Sequence, residues 1–446
     1  MELPTQETDA AGRRGGLYPF FAATYLAQGL IGAAYLPIAY LQKDILHLSA
    51  AQSASFTLVM TLPFLLKPLL GLLTDALPVF GRRRVPYVVA ASLLACAGWA
   101  ALAALPAYSY APTLLLLTGV NVGIALADVV CDAVMVEFGK MSERTGKFQA
   151  VQIGVLYASL FASGLGGGWL AEHASYKAVF GLTAVFPLLI LVSGLRVPEG
   201  RAACASAQAR EAVSSLGALL RGRGFWCCCL VIFLFNFNPF LGTAQFYYQS
   251  GPLGFSKLYV GMLTSLAGLC GALGAAAFWG AYNRRLRLFG RGLLLDTSAL
   301  MRGSVVCGAP LALLYIAYLG PWSAAVLTAF FGLAGVFMRL ALMDVVAKLS
   351  PAHSEATAFA LFMAVFNFSA LASNTVGGWL YGLWGRGGHE FAAMSALIAL
   401  AAACTLACWP LLRWIPTARE PLSARAAPSA GRSAEGARAA AFQGAS

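Results

Sequence analysis

Residues 71 to 87 read GLLTDALPVFGRRRVPY. The stretch begins at the end of one apolar run, carries a single acid at Asp75, turns at Pro78 and passes through Arg82, Arg83 and Arg84. A second apolar run opens at Pro86. A short basic hinge between two runs of membrane length belongs on the cytoplasmic side, where Lys and Arg are retained. A degenerate copy, GAYNRRLRLFGR, occupies residues 280 to 291. Gly71 and Gly280 are 209 positions apart, as are Phe80-Gly81-Arg82 and Phe289-Gly290-Arg291, and Asp75 falls opposite Arg284. One loop therefore occurs twice, half a chain apart.

The composition around this repeat is that of a polytopic membrane protein. Of 446 residues, 59% are hydrophobic and 11% charged, against roughly 25% charged in soluble domains. A helix needs about 20 apolar residues to cross a bilayer, and the chain reads as twelve such spans. The first six cover residues 17–41, 51–74, 86–106, 112–138, 148–170 and 175–195. The second six cover 225–249, 257–281, 293–319, 322–346, 356–381 and 391–414. Gly and Pro within them, such as Pro63, Pro68 and Pro239, are tolerated in membrane helices.

With both termini cytoplasmic, the segments on that side hold 23 of the 30 Lys and Arg. The opposite loops hold four, Lys43, Lys177, Lys257 and Arg386, and three more, Lys67, Arg302 and Arg339, lie within spans. This asymmetry sets the orientation. It divides the chain into a cytoplasmic tail at 1–16, a six-helix bundle at 17–195, a basic cytoplasmic linker at 196–224 and a second six-helix bundle at 225–415. The linker predicts a short amphipathic helix on the inner leaflet. The final stretch, 416–446, is too poor in bulky apolar residues to fold and is expected to be disordered. The net charge of +12 resides largely in the loops, so the expected partner is the lipid bilayer and not a nucleic acid. Ten cysteines show no metal or disulfide spacing, and Cys227, Cys228 and Cys229 open a span as small apolar filler. Residues 1–16 are polar and contain Glu2, Glu7 and Asp9, which predicts no cleavable leader. The expected location is the plasma (inner) membrane, with an organelle envelope left open.

Two further matches share the offset of the loop to within one residue. Gln28, Gly32 and Tyr35 lie 210 positions before Asn238, Gly242 and Gln245, and Gly167-Gly168-Trp169-Leu170 lies 210 before Gly377-Gly378-Trp379-Leu380. Two six-helix halves of the same orientation, joined by a cytoplasmic connector, have the architecture of the major facilitator superfamily, with a pseudo-two-fold axis along the membrane normal.

The residues also carry a narrower resemblance. The stretch from Lys67 to Tyr87, KPLLGLLTDALPVFGRRRVPY, resembles the loop between spans two and three of the folate–biopterin transporter family. ADVVCDAVMVE, Ala127 to Glu137, resembles that family's paired-Asp fourth span. LSPAHSEATAFALFMAVFN, Leu349 to Asn367, resembles the start of its eleventh span, notably at Pro351, Glu355-Ala356-Thr357 and Asn367. The sequence departs from the pattern at Phe138, where a basic residue is expected after Glu137. Muropeptide and acetyl-coenzyme A carriers have related loop patterns and stay open as relatives. The resemblance implies a secondary transporter of folate, pterin or another organic anion.

Ionisable side chains within spans mark where such a carrier works, since each costs at least about 2.5–3.5 kcal/mol on insertion scales and faces a partner or water. Lys67 lies sixteen residues into span two and Asp128 sixteen residues into span four. Both spans run inward, so the two share a depth of about 24 Å from the outer end at 1.5 Å per residue. Asp128 and Asp132 are four apart and share a helix face. Like carboxylates so close repel, which suits the pair to proton coupling. Arg339, in span ten, is 211 positions from Asp128 and is expected to face it across a central cavity. Ion pairs closed within each half are the alternative.

Tyr25, Gln28 and Tyr35 in span one, with Asn236, Asn238 and Gln245 in span seven, are expected to line the cavity as stripes at helical spacing. Aromatic faces can stack a pterin, an Asp can accept from its amino-pyrimidine edge, and Lys67 or Arg339 can take the carboxylates of a folate tail. Asp75, Arg82 and Arg83 are expected to latch the inner gate, with Glu137 and Glu355 as gate or cap residues near cytoplasmic helix ends. The histidines at 47, 173, 353 and 389 are scattered at span ends, and no nucleotide-binding loop is present. The chain is therefore expected to be no enzyme and to hold no cofactor or metal. The coupling ion of a secondary carrier on this pattern is expected to be the proton. A carrier of a different bulky organic anion, or a non-transporting receptor on the same fold, remain the other readings. The repeat predicts that cysteines placed at residues 83 and 287 are labelled by an impermeant thiol reagent from the same side of the membrane; labelling from opposite sides would contradict it.

Overall fold

A computed structural model of the chain describes residues 17–142, 145–199, 220–281, 285–288, 291–294, 297–349 and 355–414. The two expected tails and most of the expected linker lie outside the described residues. The first half opens with helix α1, Leu17–Ile31, which tightens at Gly32–Ala34, resumes as α2, Tyr35–Tyr40, and ends in a wide turn at Leu41–Ile45. A break at Leu62–Phe64 separates α3, Ala50–Thr61, from α4, Lys67–Ala76. Then come α5, Val85–Ala104, α6, Tyr110–Ser142, and α7, Thr145–His173. The half closes with α8, Tyr176–Thr183, and α9, Phe186–Gly194.

The second half follows. It runs through α10, Arg223–Asn236, α11, Thr243–Ser250, and α12, Lys257–Ala281. Strands β1, Arg285–Leu288, and β2, Arg291–Leu294, form an antiparallel hairpin. Helices α13, Thr297–Leu313, α14, Pro321–Leu349, α15, Glu355–Trp384, and α16, Glu390–Ala407, complete it. The fold is all-helical apart from that hairpin. Among the described residues, eight helical segments are long and apolar enough to cross a membrane, and Arg223–Asn236, Met301–Ala317 and Pro321–Val336 are shorter apolar helices.

The repeated loop has a repeated geometry. Val79 pairs with Arg82 across a two-residue turn, and Leu288 pairs with Arg291, each end 209 positions on. Phe80 and Gly81 have φ of 52° and 71°. Two successive positive φ values are what a tight hairpin turn of the right-handed strand twist requires.

The seventh span departs from expectation. It was expected to run unbroken from 225 to 249, carrying Asn238, Gly242 and Gln245 as one stripe. The helix instead stops at Asn236 and restarts at Thr243, because Pro239 has no N–H to give and Gly242 takes a φ of 68°. The freed backbone is satisfied from α15: Asn374 Oδ1 accepts from the Thr243 N–H at 2.8 Å and from its hydroxyl at 2.9 Å. A Cβ on Gly242 would stand 2.3 Å from that oxygen, so only glycine fits the break.

Large apolar side chains fill the interior. Phe20, Phe21, Val88 and Val130 form one cluster of the first half, and Ile31, Phe56, Trp99 and Phe180 another. Phe225, Ile232, Val305 and Phe362 form a cluster of the second half. Between the halves, α7 packs on α12 through small residues: a Cβ on Gly261 would come within 2.5 Å of the Gly164 carbonyl oxygen. Such spacing lets membrane helices approach backbone to backbone, where packing replaces the hydrophobic effect as the source of adhesion.

Candidate functional site

Three helices of the first half converge on one charged cluster. Asp128 projects from α6 and is only 7% exposed. Its Oδ2 pairs with Lys67 Nζ, and its Oδ1 accepts from Gln28 Nε2 of α1 at 3.0 Å. Lys67 is the first residue of α4, immediately after the proline break, which turns its ammonium toward α6. A cation at a helix N-terminus sits against the helix dipole, so the Asp128 carboxylate offsets two penalties at once. The ring of Phe64 lies 5.3 Å below the ammonium and closes its apolar side. One turn along α6, Asp132 Oδ1 accepts from the Tyr25 hydroxyl at 3.3 Å. The cluster thus holds two carboxylates and one cation, fixed by Gln28 and Tyr25.

The structure brings Lys67, Asp128, Asp132, Tyr25 and Gln28 together. It gives Gln28 and Tyr25 partners on α6, where the sequence assigned them to substrate. Tyr35 is 52% exposed. Arg339 is exposed, and its guanidinium lies within electrostatic reach of the Tyr157 hydroxyl on α7. Among the described residues no ion pair joins Arg339 to Asp128, because Lys67 in the same half already holds that carboxylate.

The amides of the seventh span turn inward on their own chain. Asn236 donates to the Ile232 carbonyl at 2.8 Å and Asn238 to the Phe235 carbonyl at 3.3 Å. Gln245 and Gln249 converge on the Tyr318 hydroxyl. At the hairpin, Arg82 is exposed, and the backbone N–H groups of Arg83, Arg84 and Val85 all point at the Glu199 carboxylate. That carboxylate caps the start of α5. The side chains of Asp75, Glu137 and Glu355 lie outside the described residues.

Sequence reasoning missed Glu199, whose partners are backbone groups. It also missed a closure between the halves at the end of the bundle opposite the Arg82 hairpin. Lys257 Nζ stands 3.4 Å from Asp44 Oδ2 and 4.6 Å over the Tyr40 ring. Lys43 Nζ donates to the Ser250 carbonyl and hydroxyl, each at 2.8 Å. The Tyr247 hydroxyl bonds to Ser53 at 2.7 Å, and Trp379 Nε1 donates to Ser55 at 2.8 Å. Among the described residues, the hydrogen bonds between the halves lie at this end, apart from Ser265 to the Phe161 carbonyl at mid-depth. The available signal was that Lys43 and Lys257 are two of only four basic residues in the loops of this end.

Comparisons with known proteins find similar sequences and similar folds. The sequence model of the BT1 family matches residues 28–426. The folate-biopterin transporter of Synechocystis sp. is 28% identical over 410 residues, covering 88% of this chain and 80% of that protein. Folate transporter 2 of Plasmodium falciparum is 28% identical over 256 residues, covering 56% of this chain and 55% of that one. Among solved structures, a D-xylose-proton symporter superposes with a TM-score of 0.65 at 13% identity, covering 91% of this chain and 99% of that one. A POT family transporter in complex with a thioalcohol-conjugated peptide superposes with a TM-score of 0.68 at 11% identity, covering 90% and 96%. At such identities the structural likeness carries the fold alone, and the fold is that of the major facilitator transporters.

The charged cluster generates a stability prediction. Breaking a buried ion pair by removing one partner costs about 3–5 kcal/mol, whereas replacing both by apolar groups is often neutral. Lys67→Met should therefore lower unfolding stability in detergent by about 3 kcal/mol, and adding Asp128→Leu should restore most of it. With Asp128→Leu measured alone as well, a double variant whose loss equals the sum of the two single losses would show that Lys67 and Asp128 do not depend on each other.

Proposed function

We propose that this chain, which belongs to the BT1 family, is a secondary active transporter that moves folate- or biopterin-like compounds by alternating access, coupled to protons. The observation that carries the proposal is the Lys67–Asp128–Asp132 cluster. One ammonium neutralises one of the two carboxylates, and Asp132 keeps a hydroxyl partner in place of a cation. In so poor a dielectric a second uncompensated carboxylate is costly, and taking up a proton removes the cost. In this division of labour Asp128 is the fixed counter-ion of Lys67 and Asp132 carries the coupling proton.

Tyr35 offers an aromatic face and Arg339 an exposed guanidinium, the groups suited to a pterin ring and a carboxylate tail. The bonds of Lys43, Asp44, Tyr247 and Lys257 seal one end. In the topology proposed here, twelve spans with both termini cytoplasmic, bundles at 17–195 and 225–415 and a linker at 196–224, that end is the outer one. On this reading, closure at that end belongs to the half of the cycle that faces the cytoplasm. The return state closes at the loop of Asp75, Arg82 and Arg83. The names of the relatives, folate-biopterin transporter and folate transporter 2, support the substrate class.

The test is uptake of labelled folate and pterin into proteoliposomes, with and without an inward proton gradient, alongside exchange at equal pH. Asp132→Asn should lower gradient-driven accumulation by more than tenfold and leave exchange in place. Asp128→Asn should impair both, because the released Lys67 turns onto Asp132. Normal accumulation by Asp132→Asn would remove it as the proton carrier, and uptake of unrelated anions in preference to folate and pterin would remove the substrate class.

A further inference from the structure

Beyond the transport pathway, a groove of about 730 Å³ opens beside the hairpin of residues 79–82. Its floor is the face of α5 made by Pro86, Val89, Ala90 and Leu93. These residues follow helical spacing and run about 10 Å along the axis at 1.5 Å per residue. Ala90 and Leu93 are exposed, and α5 is one of the membrane-length apolar helices, so this face looks onto lipid. The mouth of the groove is different in kind. Phe80, at the hairpin tip, is 94% exposed, and Arg82 stands beside it.

Two features make the mouth a built site. The hairpin is held rigidly: the Tyr87 hydroxyl donates to the Leu77 carbonyl at 2.6 Å, and Glu199 fastens the three N–H groups that follow the turn. The charges also do not cancel. Glu199 is the one acid lining the groove, and both its oxygens are engaged by backbone donors. Among the described residues nothing pairs with the Arg82 guanidinium. An aromatic ring at headgroup level, a cation without a counter-ion and an apolar trough running toward the bilayer centre match the two ends of one amphiphile.

The geometry points to a site for an anionic phospholipid, its phosphate on Arg82, its glycerol region against Phe80 and one acyl chain along Pro86, Val89 and Leu93. The occupant comes from the surrounding bilayer, since the trough opens onto it. A free phosphate would gain nothing from the trough, and a zwitterionic lipid would bring its own headgroup cation next to the arginine and so offset its charge less well.

The experiment reconstitutes the full chain in vesicles of equal phosphatidylglycerol and phosphatidylcholine, extracts it in mild detergent, and counts retained lipid by native mass spectrometry. Wild type should retain phosphatidylglycerol in preference to phosphatidylcholine. Arg82→Gln should cut that retention at least fivefold, and Leu93→Gln should do the same from the acyl end. Melting temperatures verify folding, and both positions are exposed, so the variants leave the core intact. Millimolar inorganic phosphate should not displace the lipid. Unchanged retention in folded Arg82→Gln, equal retention of the two lipids, or displacement by inorganic phosphate would each overturn the assignment. So would a dimer that Arg82→Gln dissociates without loss of lipid, which would make the groove a contact between two copies of the chain.

Discussion

Asp128 and Asp132 lie one helical turn apart inside a bundle whose described residues offer their site a single ionic partner, Lys67. Other features of the site follow from that imbalance. The proline break before α4 delivers Lys67 to α6, and α1 supplies the two neutral donors, Gln28 and Tyr25, that hold the acids in register. A cluster with matched charges would be a structural fastening. One carboxylate in excess is what the proposed uptake of a proton at Asp132 would offset. Side chains of this kind inside membranes mark ion pathways for the same energetic reason.

The imbalance is useful only if the site meets one side of the membrane at a time. At the Lys43 end the halves are tied by ionic, hydroxyl and ring contacts that can be exchanged for water at modest cost. At mid-depth they meet through glycines of α7 and α12, where backbone touches backbone and no long side chain has to be withdrawn. A close-packed glycine seam beside a polar clasp would permit the rocking that the proposed alternating access requires.

Much of this was legible in the sequence, and the exceptions share a cause. The equal depths of Lys67 and Asp128 follow from counting residues along two spans, and the structure joins them. The repeat of Phe-Gly-Arg was legible as residue identity, and at Phe80 and Gly81 the structure supplies a reason, two successive positive φ values in a tight turn. Asp128 and Arg339 were expected to face each other across a cavity from their near-equivalent positions in the two halves, with ion pairs inside each half as the alternative, and for Asp128 the structure shows the ion pair inside its own half. Lys67, closer by topology, takes the acid. The stripe across Asn238, Gly242 and Gln245 failed because a proline and a glycine tolerated in membrane helices also form a break when Asn374 stands ready to satisfy it. Glu199 was invisible because its partners are backbone N–H groups, which leave no trace in residue types.

Proton uptake linked to substrate binding tests the central claim most directly. The purified protein, in weakly buffered detergent solution with a pH-indicator dye, would be titrated with folate or with a pterin. With Asp132 as the carrier, binding in wild type changes the number of bound protons by about one per substrate, and in Asp132→Asn by none, while the variant still binds. An equal proton change in both proteins, or none in wild type at any pH where substrate binds, would contradict the account.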